Sequence, residues 1–349
     1  VNLRYIVPAL GILISTSGAL FAENVGGLTV GGFVDTTGTV ANVSDDGQAP
    51  DVFFAANVEL RLGYKVGDKV TAQVDMEWNN ASTNDTNLEQ AYVNWALTNT
   101  VSLTTGKFTS YSGWESADAD GLYRVNHSPI FDALYTDDVV GAALNFAPMA
   151  DLGVSVFLLN GLFGEANNNP SNSLLALAVD AVYTVKDVGT FNAEFGYEEA
   201  TQDSTAYSLG LNATIKLASY QPLTIGAEFM LNSFSDDIAD TDGSALGFMV
   251  LGNHTLPSSK LMPFPSSVTG SITILTAEAE SGVDLGVGNS DDSSSTELAV
   301  ALLTNPTNDS HFGVNVELAY EIVKSDDSTL ALDEEKAVTF SLEAIAVIP

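Results

Sequence analysis

Nine carboxylates, Glu59, Asp75, Glu77, Glu194, Glu198, Glu228, Glu317, Glu321 and Glu343, occupy polar positions in segments where polar and apolar residues alternate. Along an extended chain successive side chains point to opposite faces, so these acids gather on one face and the apolar residues on the other. Arg61 and Lys216 are their few basic counterparts on that face. A second set lies in one long polar stretch, 110–137, which carries Trp114, Glu115, Asp118, Asp120, Arg124 and His127. Carboxylates facing each other across water lower the energy of cations and raise that of anions. Any one of these acids could be no more than a solvated position; the collective excess of acid over base favours the electrostatic reading.

Other chemistry finds little support. His127, His254 and His311 are the only histidines, and none has the spaced partner a zinc site needs. There is no Gly-x-Ser-x-Gly elbow and no His-Glu-x-x-His. Gly106-Lys107 lacks the Gly-rich loop and following helix of a phosphate cradle. Cysteine is absent, which removes disulfides and thiolate metal sites. Asp236–Gly243 offers oxygen ligands, with Asp240 and Asp242 as the calcium candidates, but its spacing is not that of an EF-hand and an ordinary acidic loop is the competing reading. No cofactor is implied. A formal net charge of −34 repels nucleic acid and favours cations as partners.

The elements that position these acids are strands. In Tyr207–Leu217 the residues Tyr207, Leu209, Leu211, Ala213, Ile215 and Leu217 share one face, and Ser208, Gly210, Asn212, Thr214 and Lys216 the other. The pattern returns in 70–78, 223–231, 312–320 and 338–348, in runs of about ten residues, the length with which a tilted strand crosses a bilayer. About sixteen such strands follow, at 27–40, 51–65, 69–78, 88–98, 100–109, 138–147, 151–160, 172–185, 189–199, 204–217, 222–234, 243–253, 266–278, 295–304, 311–323 and 335–348. Short turns (66–69, 98–100, 147–150, 186–189, 218–222) alternate with longer polar loops (79–87, 110–137, 161–171, 235–242, 279–294, 324–334). That asymmetry belongs to outer-membrane barrels, and an even strand count leaves both termini in the periplasm. His254–Phe264 breaks the rule as a long connection at the short-turn end, and Asp291–Ser295 reads as mobile loop. Trp78, Trp95, Tyr64 and Tyr197, near strand ends, fit interfacial girdles.

Residues 1–22 read as a secretory signal: Arg4, the apolar core Ile6–Ile14, then small and apolar residues to Ala22. The alternative is an uncleaved helical anchor. Residues 23–349 then form the barrel, with no domain boundary visible.

Three motifs stand within Leu88–Phe146: Gly106-Lys107-Phe108 at a strand end, Gly113-Trp114-Glu115 at a turn, and Ser128-Pro-Ile-Phe131. In these the chain resembles the porin-like outer-membrane β-barrels of bacteria; elsewhere it matches them only in pattern. The resemblance implies a passive diffusion channel with the 110–137 loop near the pore. In general porins the loop after the fifth strand folds inward and narrows the channel, and this loop follows the fifth strand by the count above. One departure is the last strand, which ends Ala346–Pro349 without a terminal aromatic residue.

The combined reading is an all-β, up-and-down transmembrane barrel of about sixteen strands in the bacterial outer membrane. It would pass small hydrophilic solutes with cation preference, as a monomer or a homotrimer in contact with membrane lipid. The expected constriction sets Glu115, Asp118, Asp120 and Arg124 on the loop against Arg61, Asp75 and Lys107 on the wall. Three other readings remain: a structural or surface-layer barrel without transport, a barrel enzyme, and a secreted β-sandwich.

Overall fold

In hydrocarbon every backbone N–H and C=O must find a protein partner, so strands with one apolar face are stable only in a sheet that closes on itself. The computed structural model shows that closure. It describes residues 27–43, 51–79, 87–136, 138–162, 176–201, 204–217, 223–236, 241–259, 263–279, 292–305, 311–325 and 334–348. The signal reading at 1–22, Asp240 and most of 279–294 lie outside these residues.

Sixteen strands follow in order. They are β1 Leu28–Val43, β2 Asp51–Val66, β3 Val70–Asn79, β4 Asn87–Ala96, β5 Val101–Thr109, β6 Asp138–Met149, β7 Leu152–Leu159 and β8 Ala176–Val185. The second half comprises β9 Gly189–Thr201, β10 Ser204–Lys216, β11 Leu223–Asp236, β12 Thr241–Leu256, β13 Ser266–Ala279, β14 Asp292–Thr304, β15 Phe312–Ser325 and β16 Glu334–Ile348. Each strand pairs with its sequence neighbours, and β1 also pairs with β16, giving a closed antiparallel barrel. No helix among the described residues is long and apolar enough to cross a membrane.

The seam is continuous from Gly32 opposite Ile348 to Val43 opposite Ala337. At Gly32, φ is +139° and an added Cβ would lie 2.0 Å from the Glu59 carbonyl oxygen, so only glycine fits. The glycine content of the first strand thus serves close pairing to β2.

Leu211, Leu318, Phe340 and Leu342 are exposed on the outer wall, while their neighbours Gly210, Glu317, Ser341 and Glu343 are buried on the inner one. Tyr64, Trp78, Trp95 and Tyr197 are also exposed outward, as girdle residues should be.

Three expectations change. β14 begins at Asp292, with Ser293 and Ser295 buried and Ser295 donating a 2.6 Å hydrogen bond to Glu321, so these serines are ladder residues rather than mobile loop. β12 runs on to Leu256, which takes His254 into the ladder opposite Val268 and shortens the irregular connection. β11 and β12 extend to Asp236 and from Thr241, so Asp242 is a strand residue opposite Ser235, while Asp240 lies outside the described residues.

The inner wall is not polar throughout. Tyr92, Phe108, Val139, Ala143, Phe157, Leu159, Ala176 and Ala178 form one buried apolar patch with Tyr111 and Leu162. Met230, Ala245, Met249, Leu251, Leu275 and Ala277 form a second. Apolar side chains tolerate the inside of a barrel only when something dry covers them, and the covering is the loop after β5.

Candidate functional site

The loop leaves β5 at Ser110 and turns into the lumen. Tyr111 packs on Phe157 with ring centroids 5.1 Å apart, and its hydroxyl lies 3.3 Å from Ser208 Oγ. Glu194 accepts the Gly113 backbone N–H at 3.0 Å and Glu228 accepts that of Trp114 at 2.8 Å. The Trp114 indole donates to Thr214 Oγ1 at 2.7 Å and stacks on Tyr123. A 3-10 turn follows at Ala119–Gly121 and a short helix, α1, at Pro129–Leu134. Ser128 caps that helix by accepting from the Phe131 N–H, and Pro129 sits in its first turn, where its missing donor costs nothing. Ile130 and Leu134 then cover the β11–β13 apolar patch. Asn126 reaches Ser341 on β16 at 3.1 Å, so the loop touches inner-wall residues from β9 round to β16.

The motifs are now legible as one brace. Glu115 accepts from both the backbone N–H and the hydroxyl of Ser128, joining the Gly-Trp-Glu turn to the helix cap. Gly113 has φ +91°, and a Cβ there would strike the Tyr135 ring at 2.0 Å. The Tyr135 hydroxyl accepts the Trp114 N–H at 2.6 Å and donates to Glu228 at 2.5 Å. His127 stacks on Phe131 and donates from Nε2 to the Ser116 carbonyl at 3.0 Å.

Of the seven candidate constriction residues, Arg61, Asp118 and Asp120 meet directly. Arg61 Nη2 bonds Asp118 at 2.7 Å and Nη1 bonds Asp120 at 3.1 Å, while the guanidinium also pairs with Glu59 on its own strand. Its Cζ lies over the Phe33 ring, 5.5 Å from the centroid, a cation–π arrangement. Asp75 stands opposite Arg61 in the ladder but accepts its hydrogen bonds from Gln73 and Gln90, at 2.6 and 2.7 Å.

The other three are placed differently. Arg124 is fully buried and forked between Glu297, at 2.6 Å, and Glu317, at 3.1 Å, so it fastens the loop and presents no charge to a passage. Glu115 is consumed by its bonds to Ser128. Lys107 lies on the opposite side of β5 from inward Thr104 and Phe108; its ammonium bonds the Leu88 carbonyl at 2.7 Å and Asp138 at 3.3 Å. Alternation counted back from Phe108 would have placed Lys107 outside. Lys216, at the foot of β10, is exposed.

Glu89 is the residue that sequence alone concealed. Counting back from buried Asn94 and Tyr92 assigns Glu89 to the outer face, but the ladder shifts between Asp75 and Met76, leaving Glu89 as the extra residue of a bulge. A bulge re-aims a side chain. The Glu89 carboxylate is thereby brought together with those of Glu59 and Asp118, their oxygens all within 4.8 Å of one another. This is the one metal-compatible group of acids among the described residues, and the Arg61 guanidinium already bonds two of its three members.

Among the loop groups that titrate away from their ordinary ranges are Glu115, Asp118 and His127. Burial pushes the Glu115 carboxyl up to about 7, against its bonds from Ser128 and the nearby Arg124. Burial also raises Asp118, with Arg61 pulling it back and Asp120 adding to the rise. Burial drives His127 down to about 4, and the Arg124 charge adds to that.

Comparison with known proteins agrees with this architecture. No curated protein matches the chain in sequence. The outer membrane channel DcaP of Acinetobacter baumannii superposes with a TM-score of 0.66 at 14% identity, over 94% of this chain and 99% of that one. OmpT of Vibrio cholerae in its trimer form gives 0.57 at 13%, over 92% and 99%. An anion-selective porin from Comamonas acidovorans gives 0.59 at 11%, over 92% and 99%. At such identities the likeness is one of fold, and a fold that serves an anion-selective porin carries no charge preference of its own. The model of the family described as putative beta-barrel porin-2, OmpL-like, matches residues 28–252, and to that family of bacterial outer-membrane porin barrels this chain belongs.

Proposed function

We propose that the barrel is a passive diffusion channel for small hydrophilic solutes, with preference for cations and no catalytic step. The observation that carries this is the neighbourhood of Arg61, where one guanidinium meets Glu59, Asp118 and Asp120 at the place where loop and wall approach, with the Glu89 carboxylate beside those of Glu59 and Asp118. Four carboxylates against one fixed cation leave excess negative charge, and Asp75 on the adjoining wall adds to it. Such a site stabilises a passing cation and opposes an anion. Arg61, Asp75, Asp118 and Asp120 are the proposed selectivity residues, joined by Glu59 and Glu89.

The test is the reversal potential in a salt gradient. Asp118→Asn with Asp120→Asn should reduce cation preference markedly, and raising salt should reduce it in the parent, since screening acts over about 10 Å at 0.1 M. Glu115→Gln should change selectivity little, because that carboxylate is occupied by Ser128. An anion-selective parent would refute the reading.

A second reading, an envelope barrel without transport, is favoured by how fully the loop is fastened to the inner wall. No conductance in planar bilayers would establish it. We also propose a homotrimer, on the likeness to OmpT in its trimer form, testable by native mass measurement.

A further inference from the structure

Two guanidiniums join the inward loop to acids on the wall, and the balance of charge differs between them. Arg124 faces two carboxylates, Glu297 on β14 and Glu317 on β15. Arg61 stands among five. It bonds Glu59, Asp118 and Asp120, while Asp75 and Glu89 stand beside it without such a bond. Oxygens of Glu59, Glu89 and Asp118 all lie within 4.8 Å of one another, so a single ion can lie among all three. The charged neighbours that act on Glu89 are themselves acids: Asp118, Glu59, Glu77 and Asp138. Carboxylates this close repel unless a cation or a shared proton lies among them.

A second observation comes from outside this trio. Asp75 is fully buried, and its Oδ1 has no hydrogen-bond partner. Its other oxygen accepts from Gln73 and Gln90. Gln73 lies two residues along β3 toward the tight turn, so Oδ1 is turned the opposite way, toward the loop end. Glu59 and Glu89 stand on that side: Glu59 pairs with Glu77, two residues beyond Asp75, and Glu89 bulges out between Leu88 and Gln90. The Asp75 charge is near enough to those of Glu59 and Asp118 to repel both. Asn57, two residues from Glu59 on the same face of β2, also keeps a buried Oδ1 without a partner, and its Nδ2 bond to Glu77 fixes which amide atom is the oxygen. Both orphans are acceptors, so the wall here asks for a cation or a donor and refuses an anion. Buried carboxylates persist when they are paired or ligate a metal.

We propose that Glu59, Glu89 and Asp118 bind one calcium ion beside Arg61, where the loop approaches the wall. The unpaired oxygens of Asp75 and Asn57 add negative potential around it. A carboxylate has about four lone-pair positions, so Glu59 and Asp118 can serve the guanidinium and the ion together. The guanidinium and a divalent ion carry three positive charges against five carboxylates, which leaves the neighbourhood negative. Ligands drawn from a loop, a ladder position and a bulge suit Ca²⁺, which accepts irregular geometry and bidentate carboxylates, better than Mg²⁺, which demands a near-octahedral shell. Bound there, the ion ties Asp118 of the loop to β2 and β4 independently of Arg61. Its effect on conduction rests on the channel reading, since it cancels part of the charge that selects cations; its binding does not.

The experiment uses the full-length folded barrel in detergent, stripped with chelator, dialysed free of it and titrated with CaCl₂ in low salt by calorimetry. The expected result is one saturable Ca²⁺ per chain, at least tenfold weaker in Glu89→Gln, unchanged in Glu115→Gln, and bound in preference to Mg²⁺. Heat-modifiable gel mobility checks that each variant is folded. Should Glu89→Gln not fold, Glu89→Asp, which keeps the charge and withdraws it by one methylene, gives the same comparison. In planar bilayers Ca²⁺ should lower the parent's reversal potential in a KCl gradient to a saturating extent and leave that of Glu89→Gln unmoved. No saturable binding at millimolar Ca²⁺, equal binding by a folded Glu89 variant, equal binding of Mg²⁺, or a conducting parent whose reversal potential ignores Ca²⁺ overturns the site. Saturable binding, lost in Glu89→Gln, by a barrel that does not conduct upholds the site and tells against the channel reading instead.

Discussion

Arg124 and Glu317, 193 residues apart in the chain, form an ion pair of 3.1 Å with each side chain only 1% exposed. Glu317 also accepts the Val125 N–H at 2.8 Å and an Asn126 amide hydrogen at 2.9 Å. A carboxylate buried on the wall of a barrel is tolerated here because the loop supplies its donors.

Removing the arginine should strand two acids, Glu297 and Glu317. Breaking a buried pair from one side costs about 3–5 kcal/mol, and here the cost falls on loop docking rather than on the ladder. Arg124→Ala should expose 110–136 to protease while leaving the thermal melting of the barrel close to the parent's. A loop that stays protected would show that the apolar contacts of Ile130 and Leu134 suffice to hold it.

Trp114 occupies the space above Gly226, where an added Cβ would lie 2.5 Å from the indole ring. Gly226→Val should displace the indole and break its bond to Thr214, at a cost of about 1–3 kcal/mol for overpacking. Near-ultraviolet circular dichroism reports the change, with reduced tryptophan ellipticity expected. The same substitution at Gly252, where a Cβ would meet nothing within 4 Å, should be silent.

Glu115 and His127 give the docked loop opposing pH dependences. Burial raises Glu115 from 4.5 to about 7, with Ser128, Arg124 and Glu297 facing it. Burial lowers His127 from 6.5 to about 4, with Ser116, Arg124 and Glu317 around it. The raised carboxyl contributes fully below pH 4.5 and loses its contribution as pH climbs through 7. The lowered imidazole contributes fully above pH 6.5 and loses its contribution as pH falls through 4. Between 4.5 and 6.5 the docked pair and the released pair each hold one proton, on Glu115 and on His127 respectively, so their slopes cancel. The Glu115 and His127 contributions to hydrogen exchange of the loop, corrected for intrinsic rate, should cancel across that window, leaving only the slope that other buried acids such as Asp118 supply. In His127→Phe exchange should quicken beyond that slope as pH rises from 4.5 to 7, and a profile no steeper than the parent's would count against the Glu115 assignment.

Orientation follows from the connections. β2–β3, β4–β5, β6–β7 and β8–β9 are joined by tight turns at one end, and the loop after β5 enters from the other. The tight turns should face the periplasm. Single cysteines at Asp51 and Lys186, both exposed and at opposite ends, can be compared because the chain has none of its own. On intact cells an impermeant thiol reagent should label the first and spare the second; the reverse pattern would invert the barrel.

The strands were written in the chain itself. Alternation is a local property, set by two-residue periodicity between turn residues, and it placed all sixteen strands within a few residues of their observed ends. It also identified the outer face at Leu211 and Leu318 and the inner acids at Glu194, Glu228 and Glu317. The resemblance to porins, in which the loop after the fifth strand folds inward, singled out the loop that turns inward. What alternation could not express is distance across the barrel. Whether Arg124 lines a passage or locks to Glu297 and Glu317 depends on strands that lie far along the sequence and close only when β1 meets β16. The inward apolar patch of Met230, Met249 and Leu275 is meaningful only once α1 lies on it. One inserted residue in the β3–β4 ladder brings Glu89 into the acidic cluster, because a period of two is reversed by any single-residue slip. Local periodicity therefore determined the barrel, and through-space pairing of buried charge, which no local pattern encodes, decided what the loop does inside it.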